Sequence, residues 1–431
     1  MNYLFFERKT NLCIFVSLII FLLSFYSMHF CKTLSKKTNI KLILLAISFF
    51  LFSSHLYALG NDSIHIKNIP FISLRADYGS VLNTNEFVAG TNLKGEPIKN
   101  FSSFSMKIGN QTIGKNDWEH LCNFPSYGLA FYTAIFDYNK EIGQPFAIYG
   151  FWDAPFHRWK SSAFMYQIEF GYAFNWKEYD KNSNYYNISE GSNGTAYIGL
   201  GLKYDYLIDK QIKVSLGGSF THFSNGAIRK PNKGINLASP NISVSYLLKP
   251  MPDINRKRDL KYQKNNEIFF ALGTGIKEGS YSYSETLLLN DPYPNISYFV
   301  MSLSTAYMRQ YSFKSKAGAG INLIYDEWIG SSLNIDSLGN AKKVLGKGSD
   351  RFTFGIFGAH EFCIDRLSIL TQLGCYVWQK DTSEKKPLIN ERVGVKYHFK
   401  NNLFAGVNIY AHNCSKADFL EWNIGYRFKW N

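Results

Sequence analysis

Apolar and polar side chains alternate along most of this chain, and the eleven residues before the C-terminal Asn431 show the pattern most clearly. From Leu420 to Trp430 the even positions are apolar or aromatic, whereas the odd positions are polar or small. Successive side chains of a β-strand point to opposite faces, so this stretch predicts a strand with one apolar face. The alternation recurs in residues 313–325, and no convincing helical period follows residue 66.

Sixteen segments read as strands by this criterion. They lie near 70–78, 101–109, 125–137, 142–153, 160–176, 193–206, 211–224, 235–248, 266–276, 296–309, 312–325, 351–362, 366–378, 389–398, 402–413 and 418–430. The connections between them mostly alternate between long and short, which is typical of outer-membrane barrels. Residues 110–124 and 249–265 break that alternation.

These features predict an all-β fold, a transmembrane antiparallel β-barrel of about 14–16 strands. Two smaller eight-stranded barrels are the alternative, because residues 249–265 divide the strands into near-equal halves. Of the two, the single large barrel is preferred. In either case residues 61–250 form the first half, and residues 251–431 form the half that ends in the aromatic strand.

Residues 1–60 read as a leader that directs export. Lys36, Lys37 and Lys41 precede the apolar stretch 42–52, and small residues lie at Ala58 and Gly60. This is the layout of a signal peptide. An earlier apolar stretch, 11–30, is either a transmembrane helix or sequence upstream of a misassigned start before Met28, and the second interpretation is preferred.

Composition narrows the class of protein further. Aromatic residues make up 17% of the chain, and the mean hydropathy of −0.17 argues against a helical membrane bundle. The net charge of +14, together with export, favours an anionic lipid rather than nucleic acid as a partner. The aromatic C-terminal strand resembles the signal read by the barrel-assembly machinery. Neither the nine His nor the six Cys show metal-ligand spacing, so no metal or cofactor is expected.

Residues 211–248 carry the candidate chemistry. Ile212, Val214 and Leu216 share one face of the first strand, and His222 and Ser224 extend that face. On the next strand, Asn236 has the parity of an apolar face formed by Ile242, Val244, Tyr246 and Leu248. Polar groups on a lipid-facing surface are costly unless they are paired, so these three side chains are expected to pair with one another.

Such a group can cleave esters. A serine hydroxyl becomes a nucleophile when a histidine removes its proton, and a third group fixes the orientation of the ring. The backbone amides at Asn225 and Gly226 could stabilise the oxyanion. On spacing alone, an ordinary polar turn between two strands is the preferred interpretation.

The motif His222-Phe223-Ser224-Asn225-Gly226, followed by Pro231-Asn232-Lys233-Gly234, closely resembles the lipid A 3-O-deacylase (PagL) family, whose members carry H-x-S-N and then P-N-x-G. The resemblance covers about residues 66–250. It implies a bacterial outer-membrane hydrolase that cleaves an ester-linked acyl chain of lipid A. His222 would be the base, Ser224 the nucleophile, and the amides of Asn225 and Gly226 the oxyanion donors. Small family members have eight strands, so the second half is not accounted for.

The third member of the site departs from the family pattern. The family has a Glu on the next strand, twelve residues after the serine, where this chain has Asn236. An asparagine can orient an imidazole but cannot stabilise an imidazolium by charge. The resemblance therefore leaves three outcomes open: a slower enzyme, a substitute carboxylate such as Glu190, or an inactive site.

Arg229, Lys230 and Lys233 crowd the same loop and are candidate ligands for the phosphates of lipopolysaccharide. The function predicted from the sequence is thus a lipid A deacylase. Two alternatives remain: an outer-membrane phospholipase or deacylase of another acyl position, and a porin or structural barrel with a degenerate site.

Overall fold

The computed structural model describes residues 68–253, 264–279, 281, 286, 289, 291–337, 340–382, 386–413 and 416–430. The predicted leader, residues 1–60, lies outside the described residues. None of the helices in the described ranges combines the length and the hydropathy needed to cross a membrane.

Eight antiparallel strands form the first closed barrel, because β8 pairs back onto β1 through Phe71 and Leu247. The strands are β1 (Ile69–Val81), β2 (Asn100–Gln111), β3 (Ser126–Phe136), β4 (Gly143–Arg158), β5 (Ser162–Trp176), β6 (Thr195–Leu207), β7 (Ile212–Ser224) and β8 (Ile235–Leu247). Two short helices, α1 (Glu86–Ala89) and α2 (Asp117–Leu121), lie in its loops. They have only four and five residues, too few for a helical period to be visible in the sequence.

A second closed barrel follows, in which β18 pairs with β9. Its strands are β9 (Asn266–Glu278), β10 (Ser297–Ser312), β11 (Ser315–Asp326), β14 (Phe352–Ile364), β15 (Leu367–Gln379), β16 (Ile389–His398), β17 (Leu403–His412) and β18 (Lys416–Trp430). A hairpin of β12 (Ser332–Ile335) and β13 (Ala341–Val344), followed by the 3-10 turn Gly348–Arg351, occupies the longest loop.

The all-β antiparallel fold is confirmed, and so is the alternative of two eight-stranded barrels. The preference for a single large barrel was wrong. Each of the sixteen predicted segments corresponds to a barrel strand, but alternation looks the same in one wide barrel as in two narrow ones. The hydrogen bonds between β8 and β1 decide the matter, because they close the sheet before β9 begins.

Paired charges fill the interior of each barrel. In the first, Glu169 accepts from Arg75 at 3.2 Å and from Lys107 at 2.8 Å. In the second, Lys396 pairs with Glu361 at 2.5 Å. Eight strands leave an interior that side chains can fill. These interiors therefore weigh against a wide water-filled channel.

Candidate active site

On β7, the even-numbered side chains face the outside of the first barrel. Leu216 is 66% exposed and Phe220 is 39% exposed, whereas Ser215 and Thr221 are buried. His222 and Ser224 continue the even-numbered row towards the end of the strand. The register places His222 directly opposite Asn236 on β8. The pleat therefore brings the three residues to one edge of the outer surface.

His222 and Asn236 are joined by a hydrogen bond of 2.7 Å between Nδ1 and Oδ1. The amide nitrogen of Asn236 donates to Thr84 Oγ1 at 2.9 Å, which turns its carbonyl oxygen towards the ring. The imidazole then carries its proton on Nδ1, leaving Nε2 able to accept one. Thr84 was missed in the sequence, because it belongs to the distant loop after β1 and carries no motif.

Ser224 ends β7 and is held by the loop that follows. Asn232 Nδ2 donates to its hydroxyl at 3.0 Å, and the Gly226 amide donates to the same oxygen at 3.2 Å. Among the described residues, Ser224 has these partners rather than His222. Alternate residues of a strand lie about 6.6 Å apart along it, so a turned serine side chain can approach the ring nitrogen. The P-N-x-G motif was the available signal for Asn232.

The turn after Ser224 supplies a backbone amide at the nucleophile. Gly226 and Ala227 both have a left-handed backbone, with φ of 65° and 66°, and in this turn the Gly226 N–H points towards Ser224 Oγ. The Asn225 amide is instead occupied by Asn232 Oδ1 at 3.0 Å. Of the two expected oxyanion donors, the Gly226 amide is thus the one directed at the serine.

Glu190 is fully buried in the loop between β5 and β6, and neither carboxyl oxygen has a hydrogen-bond partner among the described residues. Burial raises the pKa of Glu190 well above its usual range, because desolvation disfavours the charged carboxylate. Among the described residues, His222 is hydrogen-bonded to Asn236 and not to Glu190. The structure therefore does not bring the substitute carboxylate to the histidine.

The three basic loop residues have different surroundings. Lys233 is exposed, and the side chain of Arg229 is 45% exposed with its Nε 3.7 Å from Glu278 Oε1. The pKa of Lys230 is lowered to about 8. Burial is the largest cause, and the positive charge of the nearby Lys416 is the second. Lys230 is half-buried, and Lys416, Lys277 and Lys233 act on it against the nearby carboxylate of Asp418.

An apolar groove of about 1330 Å³ starts just below the histidine and runs between the barrels. Its upper lining includes Phe220 and Ala238, which are paired in the β7–β8 register two residues from His222 and Asn236. Phe362 and Ile369 of the second barrel line its far end. Among the described residues, no cluster of three or more His, Cys, Asp or Glu is placed to hold a metal ion.

Two family models match this chain, one on each barrel. The model described as lipid A 3-O-deacylase (PagL) matches residues 104–245. The model described as acyloxyacyl hydrolase, C-terminal domain, matches residues 266–430. No curated protein matches the chain.

Several solved structures are similar to the chain at low sequence identity. The toluene transporter TbuX of Ralstonia pickettii is 7% identical, with 85% of this chain and 90% of that chain covered, at a TM-score of 0.16. A porin of Rh. blastica is 7% identical, with coverages of 83% and 99%, at a TM-score of 0.15. The siderophore receptor PirA of Acinetobacter baumannii is 8% identical, with coverages of 85% and 81%, at a TM-score of 0.23.

Proposed function

The chain belongs to a PagL-like family of barrel proteins, and on that premise we propose that it is a bacterial outer-membrane lipid A deacylase using Ser224 and His222. The observation that carries the proposal is the oriented histidine on the outer wall, hydrogen-bonded at 2.7 Å to Asn236 and two residues from Ser224. A lipid-facing surface is where acyl chains would meet these side chains.

Catalysis would proceed by acyl transfer to the serine. His222 Nε2 takes the proton of Ser224 Oγ as that oxygen attacks the ester carbonyl. The Gly226 amide stabilises the oxyanion. The ester C–O bond then breaks, the lipid alcohol leaves with the proton from His222, and the acyl chain remains on Ser224. Water activated by the same ring hydrolyses the acyl-enzyme and releases a fatty acid.

Asn236 orients the ring in this mechanism without charge support for the imidazolium. Its Oδ1 accepts the Nδ1 proton and fixes the tautomer, as a carboxylate would. The cation that forms when His222 takes a proton is stabilised less than it would be beside a carboxylate. The proposed enzyme is therefore slower than one with Glu at this position.

Two surfaces next to the site fit a phosphorylated, acylated substrate. Arg229, Lys230 and Lys233 would bind its phosphates, since guanidinium and ammonium groups make strong charge-assisted hydrogen bonds to phosphate oxygens. The apolar groove below Phe220 would take the acyl chain. The aromatic strand β18 (Lys416–Trp430) would be the segment that the barrel-assembly machinery reads during insertion.

The decisive experiment is mass spectrometry of lipid A from cells that express the wild type, Ser224→Ala or Ser183→Ala. Ser183 is an exposed serine of a loop in the same barrel, so it controls for serine loss alone. We expect the wild type and Ser183→Ala to remove one acyl chain, and Ser224→Ala to remove none. Deacylation that persists in Ser224→Ala would overturn the proposed mechanism.

Asn236 also favours one competing function, a structural barrel that keeps a degenerate site. In that case wild-type cells would show the unmodified lipid A profile. A phospholipase would leave lipid A intact and release fatty acid from phospholipid vesicles. Membrane fractionation of the same cells tests the proposed outer-membrane location.

A further inference from the structure

The loop that carries the catalytic turn does not stand free in solvent. Residues 225–234 contact the second barrel at Glu278, the last residue of β9. The carboxylate of Glu278 accepts the Lys230 backbone N–H at 2.7 Å. In return, the Glu278 backbone N–H donates to the Ala227 carbonyl at 3.0 Å. One residue of the second barrel thus holds the loop at two points three residues apart.

Two further contacts lie beside this pair. Arg229 Nε is 3.7 Å from Glu278 Oε1, a partly exposed ion pair that contributes little by itself. A Cβ at Gly226 would lie 3.3 Å from Leu420 Cβ on β18, so the wall of the second barrel comes close to the turn. Glu278 is 5% exposed, so its hydrogen bonds are shielded from water.

The turn needs such support, because Ala227 adopts a left-handed backbone with φ of 66°. Residues with a Cβ rarely take this conformation, and they keep it when surrounding contacts enforce it. The Glu278 N–H fixes the carbonyl of this same residue. Ala227 directly follows Gly226, so holding its carbonyl limits the movement of Gly226, whose amide points at Ser224 Oγ at 3.2 Å.

We infer that Glu278 of the second barrel is a positioning residue for the oxyanion-donating turn of the first. The inference rests on the proposed function and gives the second barrel a part in it. Contacts with the second barrel hold the turn 225–227 in place. The Gly226 amide is therefore preorganised before substrate binds. Preorganisation of a donor lowers the free energy of the transition state without strengthening substrate binding.

The test compares Glu278→Ala with Glu278→Gln and Glu327→Ala in the full-length protein. Gln keeps an acceptor for the Lys230 amide. Glu327 is a matched control, because it accepts the Phe299 amide at 3.1 Å and pairs with Lys343 at 2.7 Å, all within the second barrel. Two quantities are measured: kcat and KM on a short-chain soluble ester, and amide hydrogen exchange in residues 225–234.

We expect Glu278→Ala to lower kcat about tenfold with little change in KM, since a charge-assisted hydrogen bond is lost. Exchange in the loop should rise. Glu278→Gln should recover most of the kcat, and Glu327→Ala should match the wild type in both measurements. Wild-type kcat and exchange in a folded Glu278→Ala protein would overturn the inference, as would a loss of activity confined to KM.

Leu420→Ala provides a second perturbation if Glu278→Ala does not yield folded barrels. It removes apolar contact beneath Gly226 and leaves the buried carboxylate intact. Faster loop exchange and a smaller fall in kcat support the inference, whereas wild-type behaviour contradicts it. If the wild type hydrolyses no ester at all, the proposed function fails, but the exchange data still decide whether the second barrel holds the loop.

Discussion

Each barrel carries a histidine at the outer end of its second-to-last strand, and the two histidines face opposite sides of the wall. His222 on β7 points outward and bonds to Asn236 at 2.7 Å, beside Ser224. His412 on β17 points inward and lies 3.3 Å from Asp418, in a buried network with Lys277 and Lys386. Of the two, the inward histidine has the carboxylate partner usual in serine hydrolases.

A carboxylate next to a histidine is therefore not sufficient to make a candidate catalytic site. Asp418 is neutralised by Lys277 at 2.7 Å and Lys386 at 3.0 Å, so its charge serves the packing of the second barrel's interior. Asn236 is uncharged, but it holds its histidine next to a serine, a directed amide and an apolar groove. Neighbouring residues of a strand point to opposite faces, so moving a histidine by one position would exchange the outer wall for the barrel interior.

The largest expected effect comes from removing each histidine in turn. His222→Ala should lower kcat about a thousandfold, because the general base is lost. His412→Ala should leave kcat unchanged in protein that folds, although it lowers the thermal stability of the second barrel. The measurement is fatty-acid release from lipid A, with melting followed by circular dichroism. Equal loss of activity in the two variants would contradict the assignment of catalysis to the outer histidine alone.

The next effect comes from giving the outer histidine the carboxylate that the inner one has. Asn236→Glu should raise kcat about tenfold or more, because a charge beside Nδ1 stabilises the imidazolium. Thr84 Oγ1, which now accepts from the asparagine, can donate to the new carboxylate. Asn236→Gln is the matched control, since it lengthens the side chain by one carbon without adding charge. An unchanged or lower kcat in a folded Asn236→Glu protein would show that ring charge does not limit this site.

The smallest expected effect lies in the groove. Gly218 is exposed on the same row as His222, and a Cβ there would meet only the Ser239 carbonyl, at 3.7 Å. Gly218→Leu should therefore fold and raise KM about tenfold for long-chain esters by excluding several methylenes, with short-chain KM unchanged. Gly150→Leu is the control: it has similar room on β4, at 3.8 Å from the nearest atom, and lies outside the groove lining. Equal effects on long and short esters would exclude the groove as an acyl site.

The number of barrel strands could be predicted from the sequence, because the period-two pattern is local and each strand carries its own. The same pattern predicted that His222 and Ser224 extend an apolar row. It could not show Thr84 or Glu278, since both reach the site through loops and strand ends distant in sequence. Glu190 illustrates the opposite case: its loop position made it a candidate, but in the fold its carboxyl is buried and finds no hydrogen-bond partner in the part of the chain that the structure describes.

By itself, the sequence determined the strands, the faces of the strands and the short motif around Ser224, because side-chain parity and motif spacing are properties of a few neighbouring residues. Tertiary structure alone decided that the strands close as two barrels and that Glu278 of the second barrel contacts the loop after Ser224 in the first. Closure depends on which distant edges pair, here β8 with β1 and β18 with β9. An alternating pattern presents the same face to every possible partner and cannot select among them.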